Sequence, residues 1–236
     1  YTERAGMVSG GNVLRRNLKF KPDCLVVFNE ETKRYALSIN PKQRVEVIPN
    51  GVNLSLFSPV GEKFDHGLQG PVILTVGSLN RRNHKRLHLA IEAMSKVSDG
   101  ALLICGDGPD KQYFEELCTD KLGRTRFKIV TVDFADIPKV YRSADLFTLP
   151  SEDEPFGRVY LEAMASGLPV VATDDAMRRT LTGQAGIVCN VENSVEYAQA
   201  IQTALEREWG DLPIEQASHY SWKNVAERYA EVINSM

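Results

Sequence analysis

Downstream of residue 70 the chain alternates between short apolar runs and stretches whose apolar residues recur at helical spacing. The runs fall at 72–76, 101–105, 127–130, 146–149 and 170–172, mostly flanked by Gly, Pro or Asp. Runs of this length with such punctuation read as strands buried on both faces. Between the first two, Leu87, Ala90, Ile91, Met94 and Val97 form one apolar stripe, so Met94 is packing rather than a ligand. Residues 194–208 suit a further helix, and Trp222, Val225, Ala226, Tyr229 and Ile233 stripe a final one. Strand and helix in strict alternation predict an α/β fold built on a doubly wound parallel sheet.

The first 50 residues are less regular. A short strand is expected at 23–29, a helix at 30–38 and a second strand at 45–48, stopped by the breaker Pro49-Asn50-Gly51. Residues 1–21 hold Gly6, Gly10, Gly11 and several cationic side chains, with too little apolar content for an independent element. They read as a loose end or a severed helix, and the start at Tyr1 suggests a fragment.

Composition narrows the classes. With 43% hydrophobic and 25% charged residues among 236, the chain can bury a full core. A net charge of −3 disfavours nucleic acid as the principal partner. No apolar run reaches the roughly 18 residues of a membrane span, so a cytoplasmic protein with at most peripheral membrane contact is expected. Cys24, Cys105, Cys118 and Cys189 lack C-x-x-C spacing and read as reduced, structural residues.

The stretch richest in chemistry follows the 146–149 strand: P-S-E-D-E-P-F-G-R-V-Y-L-E-A-M-A-S-G-L-P. Pro155 suits a first helical turn, and Gly167 with Pro169 beyond it suits the stop. The loop lies at a strand's carboxyl end, where open α/β sheets bind ligands. The N–H groups of Phe156, Gly157 and Arg158 and the helix dipole favour an anion there. At about 1.5 Å per residue, Glu162 stands roughly 8 to 10 Å further along. A diphosphate flanked by two polyols fits, with Glu154 and Glu162 accepting from hydroxyls on either side. Acidic residues that merely complement a helix dipole are the plainer alternative.

Glu154 to Glu162, running into A-M-A-S-G-L-P-V-V-A, closely resembles the E-x7-E region of retaining GT-B glycosyltransferases of the glycogen-synthase and sucrose-synthase type. V-I-P-N-G-V-N resembles that family's passage between its two Rossmann-like domains, and S-W-K-N-V-A-E-R-Y its terminal helix. The resemblance implies that residues 1–49 are a remnant of an N-terminal domain with its linker. Residues 50–236 would be the C-terminal domain that binds a nucleotide-sugar donor, the helix at 221–235 returning toward the missing half. The acceptor site would lie mostly in that half, so this chain alone is expected to bind donor without transferring sugar.

By the same resemblance, Glu154 accepts from the donor sugar and Glu162 from the ribose. Pro155, Phe156, Gly157, Arg158 and Val159 line the phosphate side, and Lys85 stands opposite as the charge that receives the leaving group. Five cationic or potentially cationic side chains lie in S-L-N-R-R-N-H-K-R, residues 78–86, after the first strand. A phosphate clamp and a solvated basic loop both suit them. The family carries an Arg where Ser78 stands, so whether Arg81 or Arg82 replaces it is open. Gly106 in the turn G-D-G-P, with Val130 and Thr131 at the next strand end, would wall the nucleotide base. No cofactor is implied and no metal expected: His84 and His88 have ligand spacing but no third ligand, and a cation at the run from Glu152 to Glu154 would borrow the substrate phosphates, whose charge Lys85 and the helix start already meet. Two rivals remain, a nucleotide-binding regulatory module without transfer and a nucleotide-sugar epimerase of the same fold.

Overall fold

The computed structural model describes residues 8–152 and 154–236, with side chains from Leu14 onward; Gly6 lies outside the described residues. In chain order the elements are α1 (Val8–Lys19), β1 (Leu25–Val27), α2 (Glu30–Ile39), β2 (Val45–Val47), β3 (Val72–Val76) and α3 (Leu87–Met94). Next come β4 (Ala101–Cys105), α4 (Lys111–Leu122), β5 (Phe127–Val130), α5 (Ile137–Arg142), β6 (Leu146–Leu149) and α6 (Arg158–Ala165). The chain closes with β7 (Val170–Thr173), α7 (Ala176–Thr182), β8 (Gly186–Cys189), α8 (Ser194–Glu206), α9 (Leu212–Ser218) and α10 (Trp222–Asn234).

Six strands form one parallel sheet in the order β5-β4-β3-β6-β7-β8. The chain thus winds outward from β3 to one edge, returns to β6 beside β3, and winds to the other edge. This is the doubly wound, Rossmann-like arrangement, and its direction reverses between β3 and β6. The crevice outside their carboxyl ends is where such sheets take ligands. β3, β4 and β6 are almost wholly buried because helices cover both faces, which is why their sequences are continuously apolar. The edge strand β8 was not expected, although Ile187, Val188 and Cys189 form a short apolar run; its first three residues are half-buried.

Upstream, β1 and β2 form a separate two-stranded parallel sheet with α2 as its crossover. Leu14, Leu18, Val27, Ala36 and Val45 make its own small core. Leu14 and Leu18, one turn apart, suffice to seat α1, so residues 8–19 form a helix despite their low apolar content. This layer meets the main body where Phe28 packs against Phe156 and through hydrogen bonds. Arg44 bonds Ser235 beyond α10, Arg228 donates to the Val47 carbonyl, and Asn29 reaches the loop before α6.

Of the apolar stripe on α10 only Val225 is buried, and Trp222 and Ile233 are exposed. The four cysteines are free thiols. Among the described residues no helix is long and apolar enough to cross a membrane.

Candidate functional site

The loops after β3 and β6 leave the sheet side by side, which brings Lys85 and Glu154 together across 69 residues of sequence. Lys85 Nζ donates to Glu154 Oε2 at 2.6 Å. His84 Nε2 meets the same oxygen at 3.0 Å, and since an ionised carboxylate only accepts, the ring nitrogen is the donor. Glu154 is 8% exposed. Burial alone would push its carboxyl up, but the His84 hydrogen bond and the Lys85 charge outweigh it and hold the group at about 2. Oε1 has no partner among the described residues. Beneath, the Lys85 stem lies over Gly77 at the end of β3.

The loop that carries Glu154 is fixed through its backbone. Arg178, buried on α7, grips Asp175 through two nitrogens and donates Nη1 to the Glu154 carbonyl at 2.7 Å. Asn29 caps α2 with its side-chain oxygen, which accepts from Thr32, and uses its amide nitrogen to hold the Pro155 carbonyl at 2.9 Å. Phe156 is buried between Phe28 and Tyr220, at 6.5 and 6.0 Å between ring centroids. Its side chain is therefore packing, and only its backbone faces the site.

The helix begins at Arg158, not at Pro155 as expected. Gly157 takes φ 87°, where an added Cβ would stand 2.6 Å from the Tyr160 ring, so a left-handed glycine turn starts the helix and Pro155 belongs to the loop. The N–H groups of Gly157, Arg158 and Val159 have no acceptor among the described residues and point the positive end of α6 toward the crevice. At the far end, Gly167 donates to the Met164 carbonyl and Leu168 to that of Ala163, the left-handed stop that the sequence signalled.

Glu162 lies further along α6 and is largely buried. Burial raises its carboxyl; the Tyr141 hydroxyl at 3.0 Å and Arg158 at 3.5 Å oppose the rise without cancelling it. Lys85, Glu154, Pro155, Phe156, Gly157, Arg158, Val159 and Glu162 line one cavity of about 250 Å³ with Phe28 and Asn50. A second cavity of about 250 Å³ opens on the other side of Glu154 and Pro155, lined by Arg86, Glu152, Asp175, Arg178 and Glu192 among others. Glu154 thus stands in the wall between two cavities.

The remaining expected residues lie at neighbouring strand ends. A Cβ on Gly106 would stand 1.9 Å from the Gly77 carbonyl oxygen, so glycine there is required by the close approach of two turns. Val130 is buried in the core and accepts from the Gly106 N–H through its carbonyl, while the Thr131 hydroxyl donates to the Gly106 carbonyl. The Ser78 carbonyl accepts from Asn83. Arg81 turns away, pairing with Asp110 at 3.1 Å and stacking over Tyr113. Arg82 is exposed, and no contact joins either arginine to Glu154. His84 and His88 do not share a helix face: His84 precedes α3, and His88 lies within it. Among the described residues no cluster of three or more His, Cys, Asp or Glu could hold a metal.

A half-buried ammonium, a carboxylate with one free oxygen and an open helix N-terminus can together hold an anion beside a hydroxyl-bearing group. Residues 70–207 match the sequence model of the glycosyl transferases group 1. The chain belongs to that family.

Among curated relatives, an uncharacterized glycosyltransferase of Methanocaldococcus jannaschii is 31% identical over 88% of this chain and 59% of its own length. A phosphatidyl-myo-inositol mannosyltransferase of Mycobacterium leprae is 29% identical over 89% of this chain and 59% of its length. The chain therefore spans less than two thirds of these relatives. Among solved structures, sucrose-phosphate synthase of Thermosynechococcus elongatus superposes with a TM-score of 0.81 at 25% identity, covering 99% of this chain and 63% of that one. Anabaena HepE, solved with UDP, gives 0.79 at 23% identity over 96% and 68%, a likeness of fold. The sheet is that of GT-B glycosyltransferases.

Proposed function

We propose that this chain carries the donor site of a retaining glycosyltransferase, which moves a sugar from a nucleotide sugar to an acceptor. The observation that carries the reading is the meeting of Lys85, Glu154 and the open start of α6 at the point where the sheet reverses. Lys85 and the N–H groups of Gly157, Arg158 and Val159 hold the diphosphate and stabilise the charge that grows as it leaves. Glu154 accepts from a sugar hydroxyl through its free oxygen, and Glu162 from the ribose. Gly106, Val130 and Thr131 wall the base through backbone groups. Arg82, uncommitted to any ion pair among the described residues, is the better candidate for the expected arginine, since Arg81 is held by Asp110.

Every phosphate partner in this scheme is a cationic side chain or a backbone N–H, so no metal is required. Residues 1–49 would be a remnant of an acceptor-side domain and 50–236 the donor domain, which on its own binds but does not transfer. HepE, of like fold, was solved with UDP and with glucose, in keeping with a nucleotide and sugar at this crevice. The absence of an arginine at Ser78 favours a second reading, a nucleotide-binding module without transfer. Titration with UDP-, GDP- and ADP-sugars tests the first part of both. Saturable binding to one base series, lost in Lys85→Met, is expected; no binding, or binding indifferent to Lys85→Met, refutes the site. Sugar transfer by the chain joined to its acceptor half then separates enzyme from module.

A further inference from the structure

Tyr141, on α5, is fully buried, its ring set edge-on to Phe57 at 5.6 Å and tilted against Phe147 at 5.9 Å. Held this way, the hydroxyl meets Glu162 Oε2 at 3.0 Å, with the Val159 carbonyl at 3.4 Å as a weaker second acceptor. Burial, and then the Glu162 charge, pushes the phenol well above its usual range, so it stays a donor. Among the described residues the other oxygen, Oε1, has only Arg158 at 3.5 Å, and that side chain is 57% exposed. One end of the carboxylate is thus pinned from behind while the residue lines the cavity beside Lys85.

We propose that Tyr141 is a positioning residue: by engaging Oε2 it fixes the Glu162 carboxylate so that Oε1 meets the vicinal hydroxyls of a ribose. The site is thereby selective for ribonucleoside diphosphates over those lacking the hydroxyls. The inference rests on the donor reading above, in which Glu162 is the ribose acceptor. A glutamate left free to rotate would spend binding energy on being ordered, and a buried carboxylate oxygen left without a donor is costly. A tyrosine that only satisfied a buried carboxylate would stabilise the fold without affecting the choice between ligands.

The test compares the chain, Tyr141→Phe and Glu162→Gln in titrations with UDP, GDP and ADP, and with the 2′,3′-dideoxy form of the tightest binder. Tyr141→Phe keeps the ring packing and should lose about tenfold in affinity for the ribose form while the dideoxy form changes by less than about twofold. Unchanged dideoxy binding also reports a folded site. Phe57→Leu, which loosens the ring's seat but keeps the hydroxyl, should give a smaller loss with the same ligand dependence. Equal weakening of both ligands, or no change, overturns the role of Tyr141 where Glu162→Gln alone abolishes the preference for ribose. A preference that survives Glu162→Gln removes the ribose assignment and the inference with it.

Discussion

Replacing Glu154 by Gln should strengthen binding of a bare nucleoside diphosphate. Lys85 Nζ is 2.6 Å from Glu154 Oε2 and only 17% exposed, so a diphosphate that recruits this ammonium must compete with a short, poorly hydrated ion pair. A hydrogen bond to a charged group has a net worth of about 1.5 to 3 kcal/mol. His84 remains on the same oxygen and recovers part of it, so the competition amounts to about 1.4 kcal/mol, or tenfold in affinity. Glutamine keeps the volume and one acceptor but not the charge, and the freed ammonium turns to the phosphates.

A full nucleotide sugar should gain less, because its hydroxyl loses the carboxylate that would accept from it. Isothermal titration with the diphosphate and its sugar, at two salt concentrations, reads both numbers, and Lys85→Met should weaken both ligands. A Glu154→Gln variant that binds the bare diphosphate no better, with its fold intact, would refute the competition and with it the placing of Lys85 at the phosphates.

Nucleotide affinity should be unchanged by EDTA and by added Mg²⁺ or Mn²⁺; dependence on either would make the acidic run at Glu152 a metal site and displace Lys85 from its role. Acid unfolding should show Glu154 directly. Its folded value of about 2 lies below the ordinary 4.5, so its contribution is complete above pH 4.5 and lost as pH falls through about 2. That contribution is on the order of 3 kcal/mol by linkage, and urea midpoints measured from pH 6 to 2 should flatten at the acid end in Glu154→Gln.

The central sheet was legible because its strands are buried on both faces, which forces continuous apolar runs. β8 was missed although its Gly-Ile-Val-Cys run is as apolar as that of β5, the opposite and equally open edge, which was found. The start of α6 was misplaced for a local reason. Proline is welcome in a first turn, but Gly157 in a left-handed conformation is a stronger boundary, and whether a glycine adopts it depends on what packs beside it, here Tyr160. Within the site, Lys85 and both glutamates were found through a motif. The residues that hold them were not: His84 was weighed as one charge of a basic loop and as a metal ligand, never as a partner of Glu154, and Asn29, Tyr141 and Arg178 carried no signal. Their partners lie far off in sequence, 126 positions away for Asn29 and 24 for Arg178. Only the fold makes them neighbours.

The two glutamates illustrate what the fold adds to a spacing. Glu154 and Glu162 are read alike from sequence, as carboxylates on either side of a helix start, yet their surroundings drive them apart. Glu154 leaves the sheet where β3 and β6 adjoin, so the cationic loop after β3 meets it and keeps it ionised despite burial. Glu162 lies in the second turn of α6, where its hydrogen-bond and ion-pair partners are a neutral phenol and a mostly exposed guanidinium, and burial prevails. A permanently charged acceptor beside an ammonium suits a group that must stay oriented while charge moves to the leaving diphosphate. A carboxylate held by a neutral donor suits hydroxyls that are bound and released unchanged. The difference follows from the order of strands, since β3 and β6 adjoin at the reversal of the winding and their loops there set Lys85 against Glu154.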